Sequence, residues 1–138
     1  RLDKDSEGLL LMTNDGAIVN GIMRARNRHE KEYQVEVNKE ITPEFLKKMA
    51  SGVPILDTVT RPCRIQKTGE RSFTIILTQG LNRQIRRMCE ACGYRVKALK
   101  RIRIMNILLG DMKPGKWREI TGEELEQLQR DTGMLNHN

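Results

Sequence analysis

Residues 32 to 38 alternate: Tyr33, Val35 and Val37 are apolar, and Glu32, Gln34 and Glu36 are polar. With a period of two, this places the apolar side chains on one face of an extended strand and the polar ones on the other. Such a half-buried strand belongs to a sheet with one covered face and one wet face. Pro62–Lys67 and Ser72–Gln79 read as two more strands, joined as a hairpin through Thr68-Gly69. Val96–Leu109 is rich in β-formers, with a break near Asn106. Gly8–Thr13 is a short continuous apolar run and predicts a buried strand.

Helix signals are interspersed with these strands. Thr42-Pro43-Glu44 offers a hydroxyl cap, a proline at the first helical position and an acid in the first turn. Phe45, Leu46 and Met49 then form an apolar stripe, and Gly52 ends it. Asn82 is placed to cap a helix running to about Cys92, with Gly93 as its stop. After the punctuation Asn14-Asp15-Gly16, Ile18, Ile22 and Ala25 have helical spacing. Lys113-Pro114-Gly115 predicts a turn, and Thr121-Gly122-Glu123-Glu124 is a capping box. Strands and helices mixed in this way, with hairpin-like joins, predict an α+β fold with a mixed, mostly antiparallel sheet. There is no repeat, linker or low-complexity tract, so residues 1–138 read as one domain. Because the chain starts at Arg1 and not at Met, the expectation is an N-terminally truncated domain.

No apolar run approaches the roughly 20 residues of a membrane span, and none reads as a signal peptide. Three cysteines, an odd number at low density, do not make a disulfide framework, so a reducing cytoplasm is expected. The net charge is +7, unevenly spread. Between Arg61 and Arg103 twelve residues are Lys or Arg and two are acidic, a net +10, while the rest of the chain carries −3. A basic middle on a slightly acidic frame is the footprint of a polyanion binder, although a solvated basic face has the same composition.

Several motifs lead nowhere. Asp3-Lys4-Asp5-Ser6-Glu7-Gly8 starts like a calcium loop, but the twelfth position is Asn14, not the bidentate Glu required, and Leu9 to Met12 belong in a core. Cys89-Glu90-Ala91-Cys92 is a CxxC without a second pair; Cys63 is the other cysteine, and His29 and His137 have no helpful spacing. Neither a redox pair nor a zinc site is therefore expected, and the two small side chains read as wholly or partly buried. No Gly-rich phosphate loop, GxSxG or HExxH occurs, and with two histidines any catalysis falls to carboxylate, phenol and guanidinium groups. Aromatics at 4% are too few for a stacking platform. In Leu81-Asn82-Arg83-Gln84-Ile85-Arg86-Arg87-Met88 the arginines Arg83, Arg86 and Arg87 stand at i, i+3 and i+4, on one face at a helix N-terminus where amides and dipole also favour anions.

Taken together, the motifs carry a resemblance. Arg1-Leu2-Asp3-Lys4-Asp5-Ser6-Glu7-Gly8-Leu9-Leu10 followed by Thr13-Asn14-Asp15-Gly16 resembles the catalytic motif of pseudouridine synthases of the RsuA-like branch. Lys31-Glu32-Tyr33-Gln34-Val35 resembles their second motif, and Gly80 to Met88 their third. Leu99 and Arg101 to Leu109-Gly110, then Gly115-Lys116-Trp117-Arg118, resemble their C-terminal pattern. Gly52-Val53-Pro54-Ile55-Leu56 and Arg103-Ile104-Met105-Asn106 look closest to the RluF type.

The resemblance implies an α+β fold with a central RNA cleft and an upstream S4 domain missing before Arg1. It implies isomerisation of selected uridines in structured RNA, above all large-subunit ribosomal RNA with transfer RNA as the other substrate class, without cofactor or metal; a monomer is the default expectation for one domain of this size. It assigns Asp3 as the catalytic carboxylate, Arg86 as its partner, and Tyr33 as the ring that stacks on the flipped uracil. Leu99 would cover the other side of the base and Arg1 would fill the vacated stack. Arg83, Arg87, Lys100 and Arg101 would hold phosphates, which positions RNA without reading its sequence. The competing expectation is a non-catalytic RNA-binding module of a ribosome-assembly factor.

Overall fold

The structure is a computed structural model that describes residues 6–12, 29–110, 112, 118 and 120–131. The expected helix near Ala17–Ala25, the turn at Lys113-Pro114-Gly115, and both Arg1 and Asp3 lie outside the described residues. In chain order the elements are β1 (Glu7–Gly8), β2 (Lys31–Val37), α1 (Pro43–Ser51), β3 (Pro54–Ile55), β4 (Thr58–Val59), β5 (Arg64–Gly69), β6 (Ser72–Leu77), α2 (Gln84–Ala91), β7 (Val96–Ile104), β8 (Ile107–Leu108) and α3 (Gly122–Asp131). Among the described residues, six strands form one sheet in the order β1-β7-β2-β6-β5, with β8 paired to β7, while β3 and β4 form a separate ribbon. The β1–β7 pair is parallel and the other described pairs are antiparallel, which makes the sheet mixed and the fold α+β. Among the described residues no helix is long and apolar enough to cross a membrane.

The alternation of β2 builds the core as its period requires. Val35 and Val37 are buried beside Phe73, Ile75 and Leu77 of β6, and α1 and α2 cover that face with Phe45, Met49, Ile85, Met88 and Cys89. A second cluster joins Leu9, Ile104, Met105, Ile107 and Leu109 to Leu128 of α3. Local chemistry sets two of the helix starts. Thr42 accepts from Phe45 N at 3.1 Å. At α3, Thr121 N donates to Glu124 Oε1 at 2.8 Å and Glu124 N to Thr121 Oγ1 at 3.2 Å, the reciprocal pair that defines a capping box.

Three expectations need correction. The run from Gly8 to Thr13 is not one buried strand: pairing stops at Gly8, and Leu10 and Met12 are 51% and 84% exposed while Leu9 is buried. The β5–β6 turn lies at Glu70-Arg71, not Thr68-Gly69, because a register shift between Lys67 and Gly69 carries Gly69 into the ladder opposite Ser72. Helix α2 is not capped by Asn82. Arg83 occupies the N-cap in the left-handed region, φ 49° and ψ 40°, and makes no side-chain cap. Asn82 is instead held by Arg87, whose Nε donates to its carbonyl at 3.0 Å and Nη2 to its Oδ1 at 2.9 Å.

Candidate active site

Because directly paired residues share a face, the ladder registers sort the candidate residues. One row runs Ile65–Ile75–Tyr33–Arg101–Gly8 across β5, β6, β2, β7 and β1. The next row on the same face is Phe73–Val35–Leu99. Tyr33 is half-buried and packs on the cluster that also holds Leu99 and the α2 residues Ile85, Met88 and Cys89. The covered face of the sheet therefore carries Tyr33, Leu99 and Arg101 together, under the helix that bears Arg86.

Arg86 reaches from α2 to the segment ahead of β1: its Nη2 donates to Ser6 Oγ at 3.3 Å. Ser6 belongs to the opening motif, and sequence reasoning gives it no role of its own. It lies two residues before Gly8, so on an extended strand both fall on the face of Tyr33 and Arg101. The attachment of this segment is tight. Leu9 N donates to Arg101 O at 2.8 Å, and Arg101 Nε returns a hydrogen bond to Leu9 O at 2.9 Å. A Cβ on Gly8 would lie 2.3 Å from both Arg101 N and O, and φ at Gly8 is +124°, so only glycine fits.

The expected phosphate contacts divide. Arg101 is 3% exposed, so its guanidinium serves the interior and not an open surface. Lys100, one residue away, faces the other side of the sheet in the row Gln66–Thr74–Gln34–Lys100–Glu7. It lines a shallow cleft of about 320 Å³ with Glu7, Gln34, Glu36, Thr68, Ser72 and Ala98. Lys100 and Arg101 thus cannot hold the same stretch of backbone. Arg83 and Arg87 flank the start of α2, where Arg87 N also donates to Arg83 O at 3.0 Å. Of the basic window, Arg64 and Arg103 are bound to carboxylates: Arg64 to Glu30, and Arg103 to Glu30 and Glu32. Burial alone would push the Glu30 carboxyl up, but the hydrogen bonds from Arg103 and Arg64 outweigh it and hold the group below its usual range.

The cysteines are quiet. Burial pushes the Cys89 thiol up to about 12 and Cys63 to about 11, and Cys92 is raised for the same reason. A redox thiol or a zinc ligand is favoured as thiolate, and these surroundings favour the neutral form. Among the described residues no three His, Cys, Asp or Glu side chains gather as a metal would require.

Comparison with known proteins gives one answer. The pattern of the RNA pseudouridylate synthase family matches residues 1–91. The dual-specificity RNA pseudouridine synthase RluF of Escherichia coli (strain K12) is 57% identical over 128 residues, 93% of this chain and 44% of that protein. The ribosomal large subunit pseudouridine synthase E of Vibrio parahaemolyticus is 33% identical over 138 residues, 87% of this chain and 58% of that protein. The crystal structure of a pseudouridylate synthase overlays with a TM-score of 0.87 at 27% identity, covering 92% of this chain and 56% of that one. This chain spans about half the length of the curated relatives it matches.

Proposed function

The chain belongs to the RNA pseudouridine synthase family, and on that footing we propose that it isomerises selected uridines of ribosomal RNA, foremost of the large subunit, to pseudouridine. The reaction breaks the N1–C1′ bond, turns the base and joins C5 to C1′; the C5 proton leaves to solvent and N1 takes one up. These atoms are hidden in a stacked base, so the nucleotide must be flipped out, at a cost of a few kcal/mol that backbone contacts offset. In this reading Asp3 is the carboxylate that attacks, or that moves a sugar proton. It has to stay ionised in a sheltered place, and a guanidinium is the partner suited to that.

The observation that carries the reading is the reach of Arg86 across the chain to Ser6, three residues after Asp3, on the sheet face that also bears Tyr33. Tyr33 then stacks on the uracil; Leu99, expected to cover the other side of the base, is only 7% exposed and packs in the core, so it is better read as support for the Tyr33 face. Arg1 fills the stack that the base leaves. Arg83 and Arg87 meet phosphates, and Lys100 does so from the other face. Arg101 is better read as the prop that fixes the Ser6–Leu9 segment. The protein acts as a monomer without metal or cofactor.

Release of tritium from RNA labelled at uridine C5 tests this directly. The wild-type chain is expected to release it, and Asp3→Asn to release none while binding RNA within a few fold of wild type. Product formation by Asp3→Asn at the wild-type rate would end the assignment. Tight RNA binding without release by the wild-type chain would favour the binding-module alternative.

A further inference from the structure

Strand β7 carries one more residue than β2 between the pairs Glu32–Arg103 and Tyr33–Arg101. Residues two apart on a regular strand share a face. Here the bulged residue, Ile102, resets the phase, so Arg101 turns in beside Tyr33 and Arg103 turns out beside Glu32. A bulge leaves one residue unpaired, bends the strand and increases its twist, and so re-aims the neighbouring side chains. Something has to favour it over a regular ladder.

A regular ladder could form in two ways. Keeping Glu32 opposite Arg103 would bring Lys100 opposite Val35, onto the buried face, at a large desolvation cost. Keeping Tyr33 opposite Arg101 would only turn Arg103 in and Ile104 out at the strand end. The second is the cheaper competitor, and Arg103 is placed to oppose it. Its Nε donates to Glu32 Oε1 at 2.9 Å, its Nη2 to Glu30 Oε1 at 3.1 Å and its Nη1 to Met105 O at 2.8 Å. All three bonds require the out-turned position. At 19% exposure the side chain is sheltered enough for charge-assisted bonds to count, and Arg64 braces the other oxygen of Glu30.

We infer that Arg103 is a positioning residue for Tyr33: by clamping Glu32 and Glu30 it holds the bulge that aims the tyrosine ring. The function of that aim rests on the proposed role of Tyr33 against the flipped uracil. Two carboxylates neutralise Arg103, so it is not a phosphate contact, although it lies in the basic window.

The test uses Arg103→Gln, Arg103→Lys and Glu32→Gln at a temperature where circular dichroism shows them folded. RNA affinity is expected to stay within about two-fold of wild type with the same salt dependence, since no phosphate-binding group is removed. The single-turnover rate of pseudouridine formation should fall about ten-fold. Arg103→Lys should rescue little, because an ammonium lacks the fork. In nuclear magnetic resonance of the labelled chain, the cross-strand signals between Glu32 and Arg103 and between Lys31 and Ile104 should vanish, and the Tyr33 amide should shift. An unchanged rate in a folded variant would overturn the inference, as would weaker binding with a shallower salt slope. If the wild-type chain makes no pseudouridine, the functional reading fails while the resonance measurement still decides the register. If Arg103→Gln does not fold, Glu32→Gln, which keeps the Glu30 bond, decides it.

Discussion

Arg86 and Ser6 are eighty positions apart in the chain, and the arginine Nη2 donates to the serine Oγ at 3.3 Å. That bond ties α2 to the segment that leads into β1, and through it the third motif to the first. A bond to a charged donor is ordinarily worth about 1.5 to 3 kcal/mol, but at 3.3 Å this one is longer than usual and is worth about 1 kcal/mol, or roughly five-fold in rate. Ser6→Ala should therefore lower turnover by no more than about five-fold. Arg86→Lys keeps the charge but removes the planar fork, and should lower it at least ten-fold more. Steady-state tritium release measures both; near-normal turnover by Arg86→Lys would remove the guanidinium from the proposal.

Gly8 stands where no side chain fits. Its φ of +124° and a Cβ 2.3 Å from Arg101 N and O mean that Gly8→Ala must displace β1 from β7. A strained backbone conformation alone costs about 1 to 3 kcal/mol, so with the clash a loss of about 3 kcal/mol or more is expected in urea denaturation. A loss under about 1 kcal/mol would mean that β1 is not seated as described.

What the sequence disclosed, and what it hid, follows from the range of each force. Thr42 and the Thr121–Glu124 box announce their helices because a cap is made by residues three apart. The start of α2 misled because the would-be cap is already engaged: Asn82 Oδ1 accepts from Arg87 Nη2, and Gln84 Oε1 reaches back to accept from Leu81 N at 3.1 Å. The β5–β6 turn shifted because pairing of Gly69 with Ser72 outweighs the local preference of glycine for a turn. The site shows the same limit. Tyr33, Leu99 and Arg86 were legible as motif members. That Lys100 and Arg101 face opposite ways follows from alternation, but that Arg101 and Arg103 also do depends on the bulge at Ile102, which no period in the sequence reveals.

Arg83 combines strain with charge. It holds φ 49° at the N-cap of α2, a conformation that glycine takes freely and other residues adopt at a cost of about 1 kcal/mol. Arg83→Gly should raise stability by up to about 1 kcal/mol. If Arg83 holds a phosphate, the same variant should weaken RNA binding and reduce the slope of log affinity against log salt by about 1. A more stable variant with an unchanged slope would leave Arg83 without a role in binding. Arg101→Met offers the contrast, because its buried guanidinium should cost stability and leave the slope alone.

Glu124 sets how α3 responds to acid. Arg118 donates to both of its oxygens, at 2.7 and 2.8 Å, and Thr121 N adds a third bond at 2.8 Å. These hold the carboxyl at about 2, well below its ordinary 4.5. A depressed acid contributes stability above its unfolded value and loses it as pH falls through the folded one. The stabilisation from Glu124 is thus complete above about pH 4.5 and fades toward pH 2. Other carboxylates titrate in the same range, so the informative quantity is the difference in thermal midpoint between wild type and Glu124→Gln. That difference should be constant from pH 7 to about pH 5, shrink below it, and close near pH 2. It should also narrow in high salt at pH 7, because Arg118 is partly exposed. A gap that persists unchanged at pH 2 would mean that the ion pair is not what joins Arg118 to this helix.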